Sequence, residues 1–321
     1  MKAIVYNQYG LPEVLQIAEV ETPVPTKNEI LIKIKATAVN TADLRLRKAD
    51  PFAVRLFFGL TKPKTKILGG VFSGIIETVG SEVKNFKPGD EVFGSSALSY
   101  GFGAYAEYKC LPETGLITLK PKGYSFEEVA VIPFGGLTAL HFLKQADILP
   151  GQKILIIGAS GSVGNAMLQI CKFFGATVSV TCSSDKVKFM QDLGADKIYD
   201  YTIDELGKSD EKFDIIIDCI DKLPLKECLK RLEEKGKIIL VSAGVTTMIK
   251  KLWLTMFSET KIISGIIKET NWNLDFLKQL LEIKKLKPVI DTTYSSKDII
   301  KAHLHAEQGH KKGNIAIQVN F

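Results

Sequence analysis

Three glycines, Gly158, Gly161 and Gly164, stand three residues apart in the segment Lys153-Ile-Leu-Ile-Ile-Gly-Ala-Ser-Gly-Ser-Val-Gly164. Glycine lets a backbone turn tightly and approach a ligand closely. A helix that starts in such a turn presents unpaired N–H groups and a partial positive charge, which suits a pyrophosphate. Ser160 lies inside the turn, and Ser162 and Val163 supply backbone N–H groups at its end. Further on, Thr181-Cys-Ser-Ser-Asp-Lys186 offers Ser183 and Ser184 as small donors and Lys186 as a cation. That set suits the 2′-phosphate of NADPH. An acid at this place would bind a ribose 2′-hydroxyl and select NAD instead. Asp185 is the acid available, and its expected place is the first turn of a helix capped by Ser184, where an acid is favoured. NADPH is therefore the expected cofactor. Ile220 should lie near a ribose, and Lys312 and Asn314 in the tail can reach back to the cofactor.

The elements around these residues follow from periodicity. Ile154–Ile157 form a continuous apolar run, the signature of a strand buried on both faces. Val163, Met167, Ile170, Cys171 and Phe174 make one apolar helix face, and Gly175 is a stop. Alternating strands and helices then continue, with strands expected at 177–182, 197–201, 213–220, 237–242 and 261–267. Helices are expected at 185–193, 225–235 and 273–283. This order predicts a doubly wound parallel sheet with ligands at the strand C-termini. Residues before about 122 read differently. Short alternating runs at 2–6, 29–38, 74–80 and 104–109, punctuated by Pro and Gly, predict a partly closed β domain. Ser125, with Glu128 three residues on, should cap a helix running to about Leu149. The tail reads as a strand, a helix capped by Ser296 and a last strand at 314–319. That strand is expected to rejoin the β domain, giving residues 1–122 with 289–321 as one domain and 123–288 as the other.

The 321 residues are 45% hydrophobic and 24% charged, with a net charge of +6, an ordinary globular composition. No run of like charges suggests nucleic-acid binding. No apolar run of spanning length is evident, so stable membrane insertion is not expected. The five cysteines, Cys110, Cys171, Cys182, Cys219 and Cys228, show no paired spacing. They read as reduced cysteines of a cytoplasmic protein. Pro51–Lys66 groups Phe52, Val54, Leu56, Phe57, Phe58 and Leu60 before Lys62, Lys64 and Lys66. It reads as a loop or short helix packed on the core, with a pocket wall or a membrane-surface contact as alternatives.

Jointly, several words resemble the zinc-independent medium-chain dehydrogenase/reductase family of the quinone oxidoreductase type. They are Ala38-Val-Asn-Thr-Ala-Asp43, Phe86-Lys-Pro-Gly-Asp-Glu-Val-Phe-Gly94, Gly103-Ala-Tyr-Ala-Glu-Tyr108, Gly136-Leu-Thr-Ala139, Gly158–Gly164, Gly194-Ala-Asp196 and Gly309-His-Lys-Lys-Gly-Asn-Ile315. The resemblance spans essentially the whole chain. It implies a GroES-like domain plus a Rossmann domain, a homodimer, and hydride transfer from NADPH to a small-molecule quinone, enone or aldehyde. It places Asn40 and Thr138 near the nicotinamide, Lys186 and Tyr201 around the 2′-phosphate, and Ser242, Ala243, Gly265 and Ile266 along the nicotinamide.

Zinc-bearing relatives carry Cys where this chain has Asn40 and His-Glu where it has Gly70-Val71. Those side chains cannot form the ligand set. His303 and His310 read as a solvated helix end rather than a metal site, and His141 as a packed or capping residue. Without zinc, hydrogen bonds, a positioned water or the nicotinamide ribose hydroxyl must polarise the substrate oxygen. Asn40 is the candidate to donate to that oxygen or to orient the cofactor amide, with a plain turn residue at a strand end as the alternative. Asp43 is expected to fix a helix start. A zinc-free alcohol or aldehyde reductase, and an NADPH-binding module with little catalysis, are the competing readings of function.

Overall fold

The computed structural model describes residues 1–97, 100–242 and 260–321. The chain divides into two compact units. The first contains Met1–Phe134, Thr270–Glu282 and Pro288–Phe321, and the second Gly135–Glu269 and Ile283–Lys287.

The first unit is built on β3 (Glu29–Val39), an eleven-residue strand. Its first half pairs with β6 (Tyr108–Pro112) and its second half with β15 (Asn314–Gln318), both antiparallel, on the same edge. The other edge carries β4 (Val71–Val79), then β5 (Glu91–Ser95) and β7 (Ile117–Leu119). Register shifts on β3 at Leu31/Ile32 and Ile34/Ala36 bend the strand and let it change partners. The alternation expected for 29–38 holds as far as Ala36, except at the buried Leu31. From Ala36 onward every residue of β3 is buried. β14 (Ile290–Ser295) extends the sheet parallel to β15. A separate antiparallel pair joins β1 (Lys2–Val5) to β2 (Gln16–Glu19). The segment 104–109 is not the strand expected. Its start is held by single contacts, Ala104 N–H to Gly69 O and Tyr105 N–H to Leu68 O, and β6 begins only at Tyr108.

Helix α1 (Thr41–Lys48) follows β3 directly, and α2 (Val54–Phe58) follows α1. Val54 and Phe58 pack on the core, whereas Phe52, Leu56, Phe57 and Leu60 are exposed, so the stretch is only partly packed. Helix α3 (Phe126–Ala130) begins at Ser125, whose Oγ accepts the Glu128 N–H at 3.2 Å. Helix α4 (Ile132–Ala146) comes next. Phe126–Ala146 does reach the length and apolar composition of a membrane span, contrary to expectation. However, 72% of its most apolar window is buried, as in a core helix.

The second unit holds a six-stranded sheet with the order β10-β9-β8-β11-β12-β13, every pair parallel. The strands are β8 (Lys153–Ile157), β9 (Thr177–Cys182), β10 (Lys197–Asp200), β11 (Phe213–Asp218), β12 (Leu232–Leu240) and β13 (Lys261–Ile263). Counted from β8 this is the order 3-2-1-4-5-6, that of a dinucleotide-binding fold. Among the described residues, the helices between them are α5 (Ser162–Phe173), α6 (Val187–Asp192) and α7 (Leu225–Lys230). Helix α7 is shorter than expected. Its apolar pattern breaks where Leu232 already pairs with Phe213, and Lys235 at φ 63° re-aims the chain before Lys237 pairs with Ile215. β13 is also shorter than expected, ending before Gly265 at φ 139°.

The unit boundaries differ from the expected 122/123 and 288/289 because two helices join the β unit. α3 packs on β3, β4 and β15, and α8 (Asn271–Glu282) packs on β7. The last helix, α9 (Ile299–Gln308), buries Ile299, Ala302, His303 and Ala306.

Candidate active site

In the second unit, β8 delivers the chain into the glycine turn. Gly158 adopts φ 79°, and a Cβ there would lie 2.9 Å from Cγ2 of Ile220. A Cβ on Gly164 would lie 2.2 Å from the Gly158 carbonyl oxygen, so turn and helix touch backbone to backbone. Gly161 is the extended N-cap of α5. Behind it, the buried Ser162 Oγ has no hydrogen-bond partner. An orphaned hydroxyl at a helix N-terminus fits an anionic ligand. Val163 is the next residue of the first turn. A Cβ on Gly135 would lie 2.5 Å from Ser162 O, which shows how closely α4 approaches the start of α5. Thr138, buried and three residues further along α4, shares that helix face.

The end of β9 carries Lys186, which is only 5% exposed. Its Nζ lies 3.4 Å from Ser160 Oγ, so the cation reaches back to the glycine turn. A lysine buried against a neutral hydroxyl fits a phosphate. The neighbouring serines differ from expectation. Ser184 does not cap a helix at Asp185. A 3₁₀ turn covers Ser184–Lys186 and α6 starts at Val187. The Ser184 hydroxyl donates instead to the Asp200 carboxylate and sits 2.9 Å from Thr202 Oγ1. Asp185 accepts the Ser183 hydroxyl at 2.5 Å. Hydrogen bonds from Ser184 and Thr202 hold the Asp200 carboxyl below its usual range. The Ser184–Asp200 bond ties the two strand ends together, and the exposed Tyr201 follows Asp200 directly.

Sequence reasoning missed Asp218. Buried at the end of β11, it accepts the backbone N–H groups of Ile220, Lys222 and Leu223, each at 2.9 Å. Burial pushes its carboxyl upward against those three donors. This carboxylate shapes the loop that presents Ile220 to the glycine turn. An acid closing an apolar strand is the signal that could have found it. Ser242 is partly buried, Gly265 has open space around it and Ile266 is 85% exposed. Ala243 lies outside the described residues.

In the first unit, Asn40 ends β3 and caps α1 in an extended conformation, φ −115° and ψ 164°. Its backbone N–H donates to Asp43 Oδ2, and Gly69 N–H donates to Asp43 Oδ1, both at 2.9 Å. Asp43 thus fixes the start of α1. Burial raises its carboxyl to about 6, with the N–H donors of Asn40 and Gly69 and the Tyr105 hydroxyl opposing. Tyr105 Oη lies 3.3 Å from His303 Nε2, and His303 Nδ1 accepts from Arg47 Nε at 3.3 Å. Arg47 also donates to Gly10 O at 2.7 Å and to Glu307. His303 is therefore not part of a solvated helix end. It is fully buried, and burial with the nearby Arg47 and Lys48 charges depresses it to about 3, leaving it neutral. His305 pairs with Asp291 at 3.0 Å; in the second unit, His141 accepts the Lys268 N–H at 3.2 Å. Asn314 is buried, and its Nδ2 donates to Val289 O at 2.9 Å. Lys312 is partly buried. Its neighbour Lys311, not singled out in the sequence, is lowered to about 8 by burial, with Asp291 opposing. Among the described residues no group of three or more His, Cys, Asp or Glu could hold a metal ion.

The family model of the alcohol dehydrogenase GroES-like domain matches residues 26–121, and that of the zinc-binding dehydrogenase matches residues 193–317. The chain is 32% identical over 336 residues to the chloroplast envelope quinone oxidoreductase homolog of Arabidopsis thaliana, covering 99% of this chain and 98% of that protein. It is 30% identical to the chloroplastic NADPH-dependent alkenal/one oxidoreductase of the same plant, covering 99% and 79%. The quinone oxidoreductase of Coxiella burnetii superposes with a TM-score of 0.88 at 30% identity, covering 100% of this chain and 99% of that one. A GroES-like β domain together with a parallel sheet carrying a glycine turn defines a medium-chain dehydrogenase/reductase. With Asn40, Gly70 and Val71 at the zinc-ligand positions, the chain belongs to the zinc-independent, quinone oxidoreductase-like family of that class.

Proposed function

We propose that the chain is an NADPH-dependent oxidoreductase that reduces quinones and α,β-unsaturated carbonyls by hydride transfer, without zinc. The observation that carries this is the glycine cradle with buried Lys186 turned back onto Ser160. NADPH supplies the hydride, and the chain's residues do the rest. Gly158, Gly161 and Gly164 give the pyrophosphate room, and the α5 N-terminus with Ser162 and Val163 donates to it. Lys186, with Tyr201, takes the 2′-phosphate, whereas the Ser183 and Ser184 hydroxyls, expected to join it, are given to Asp185 and Asp200. Asn40 donates from Nδ2 to the substrate oxygen where negative charge develops. Asp43 holds the Asn40 backbone through the 2.9 Å bond. Thr138, on the α4 face near the cradle, is a further candidate contact to substrate or cofactor. The final proton can come from water. The assembly we propose is a homodimer, measurable by light scattering. The free cysteines, four of them buried, support a reducing compartment such as the cytoplasm.

The test follows NADPH absorbance with a quinone, an enone and a saturated aldehyde. Oxidation with the quinone or enone supports the proposal. Turnover of the aldehyde alone replaces it with an alcohol/aldehyde reductase. Tight NADPH binding without any turnover replaces it with a binding module.

A further inference from the structure

The second unit carries a cavity apart from the glycine turn. Its volume is about 440 Å³, and every residue that lines it belongs to that unit. Sites for small organic molecules span roughly 300–1,000 Å³. The cavity lies at the last turn of α5, where Gln169, Lys172 and Phe173 line it. The glycine turn is at the other end of that helix. Twelve residues of helix put the two ends about 18 Å apart.

The charge of the cavity comes from one short segment. Lys284, Lys285 and Lys287 line it and are exposed. Among the described residues, none of their three ammonium groups meets a carboxylate. The other charges in the lining are already paired. Lys172 bonds Asp196 at 2.7 Å, and Asp192 bonds Lys188 at 2.7 Å. The lysine segment is held in place. Gln169, 6% exposed, accepts the Lys287 N–H at 2.8 Å and donates to the Lys287 carbonyl at 3.2 Å. Leu286 between the lysines is buried. Lys284 adopts φ 57°, a left-handed conformation that glycine or asparagine takes more easily. Three like charges within four residues repel one another, and a bound anion relieves that repulsion. Phe173 and Leu193 add an apolar wall, and the partly exposed Phe173 ring offers a planar group a surface to stack on.

We propose that this cavity binds an organic phosphate with a planar ring, of the size and charge of a nucleoside diphosphate. Lys284, Lys285 and Lys287 meet the phosphates as point charges, and the ring lies on Phe173 and Leu193. The site is separate from the glycine turn and does not depend on the reductase reading.

The probe is GDP, titrated calorimetrically at low salt into the full chain saturated with NADPH, so that the glycine turn is filled. The comparison is the triple variant Lys284→Gln, Lys285→Gln, Lys287→Gln, with thermal midpoints as a check on folding. Loss of three exposed ion pairs predicts GDP binding weaker by roughly 10- to 100-fold, with NADPH affinity unchanged. If the triple variant does not fold, Lys285→Gln alone should weaken GDP by about threefold. Stacking predicts that the wild type binds GDP roughly tenfold more tightly than inorganic pyrophosphate. Absence of GDP binding to the NADPH-saturated wild type, or equal affinity in the variant, overturns the site. Pyrophosphate binding as tightly as GDP overturns the assignment to an organic phosphate. If NADPH itself does not bind, the reductase reading fails alone, and the comparison of wild type and variant with GDP still decides the site.

Discussion

Lys186→Met removes the charge that the structure aims at the glycine turn while keeping an apolar stem of similar reach. Lys186 is 5% exposed and its ammonium rests 3.4 Å from Ser160 Oγ, a neutral group. A 2′-phosphate arriving there gains a charge-assisted hydrogen bond in a partly dehydrated place, worth about 1.5–3 kcal/mol. That corresponds to a loss of roughly 10- to 150-fold in affinity for NADP⁺ on substitution. NAD⁺ has no phosphate at that position, so its dissociation constant should move by no more than about twofold on the same substitution. Calorimetric titration of both nucleotides against both proteins reads the ratio directly, with thermal midpoints as a check on folding. Equal weakening of the two nucleotides would show that Lys186 supports the fold rather than the phosphate. No weakening of either would show that the phosphate binds elsewhere.

Gly164→Ala would place a methyl 2.2 Å from the Gly158 carbonyl oxygen. We expect destabilisation of about 1–3 kcal/mol and loss of nucleotide binding, read by urea denaturation and titration. The buried pair Asp43 and His303 predicts opposing pH arms. Asp43 is raised from 3.8 to about 6, so its contribution to stability is complete below pH 3.8 and is lost as pH rises through about 6. His303 is lowered from 6.5 to about 3, so its contribution is present above pH 6.5 and is lost as pH falls toward 3. Asp43→Asn should therefore make stability climb more steeply from about pH 4 to pH 6, and His303→Gln should flatten or reverse the slope. Denaturation midpoints across that range check both, and unchanged slopes refute the assignment. A metal chelator should leave quinone-dependent NADPH oxidation unaffected, and loss of activity would reveal a ligand set that the sequence hides.

The parallel sheet was legible because its strands are unbroken apolar runs and its turns are marked by glycine. Ile154–Ile157 and Ile215–Ile217 leave no other reading. The glycine turn into α5 was legible for the same local reason. What escaped depends on contacts distant in sequence. His303 looks like a polar residue near a helix end until Tyr105 and Arg47 close around it. Ser184 looks like a cap until Asp200, sixteen residues on, takes its hydroxyl. Helix α7 ends early because strand pairing at Leu232 overrides local helical preference. The β3/β15 register is likewise encoded by no local pattern.

The arrival of β15 on β3 also sets an order of events during synthesis. β3 lies near the start of the chain, yet one of its partners is not complete until residue 318 has been made. Arg47, fully buried in the finished protein, waits for His303 and Glu307 on the same late segment. The nucleotide-binding unit needs no residue beyond Lys287, so it can close while the β unit is still open at that edge. An arrested chain ending after Lys287 should therefore protect the parallel sheet from protease and leave β3 accessible. Releasing the last thirty-four residues (288–321) should seal both.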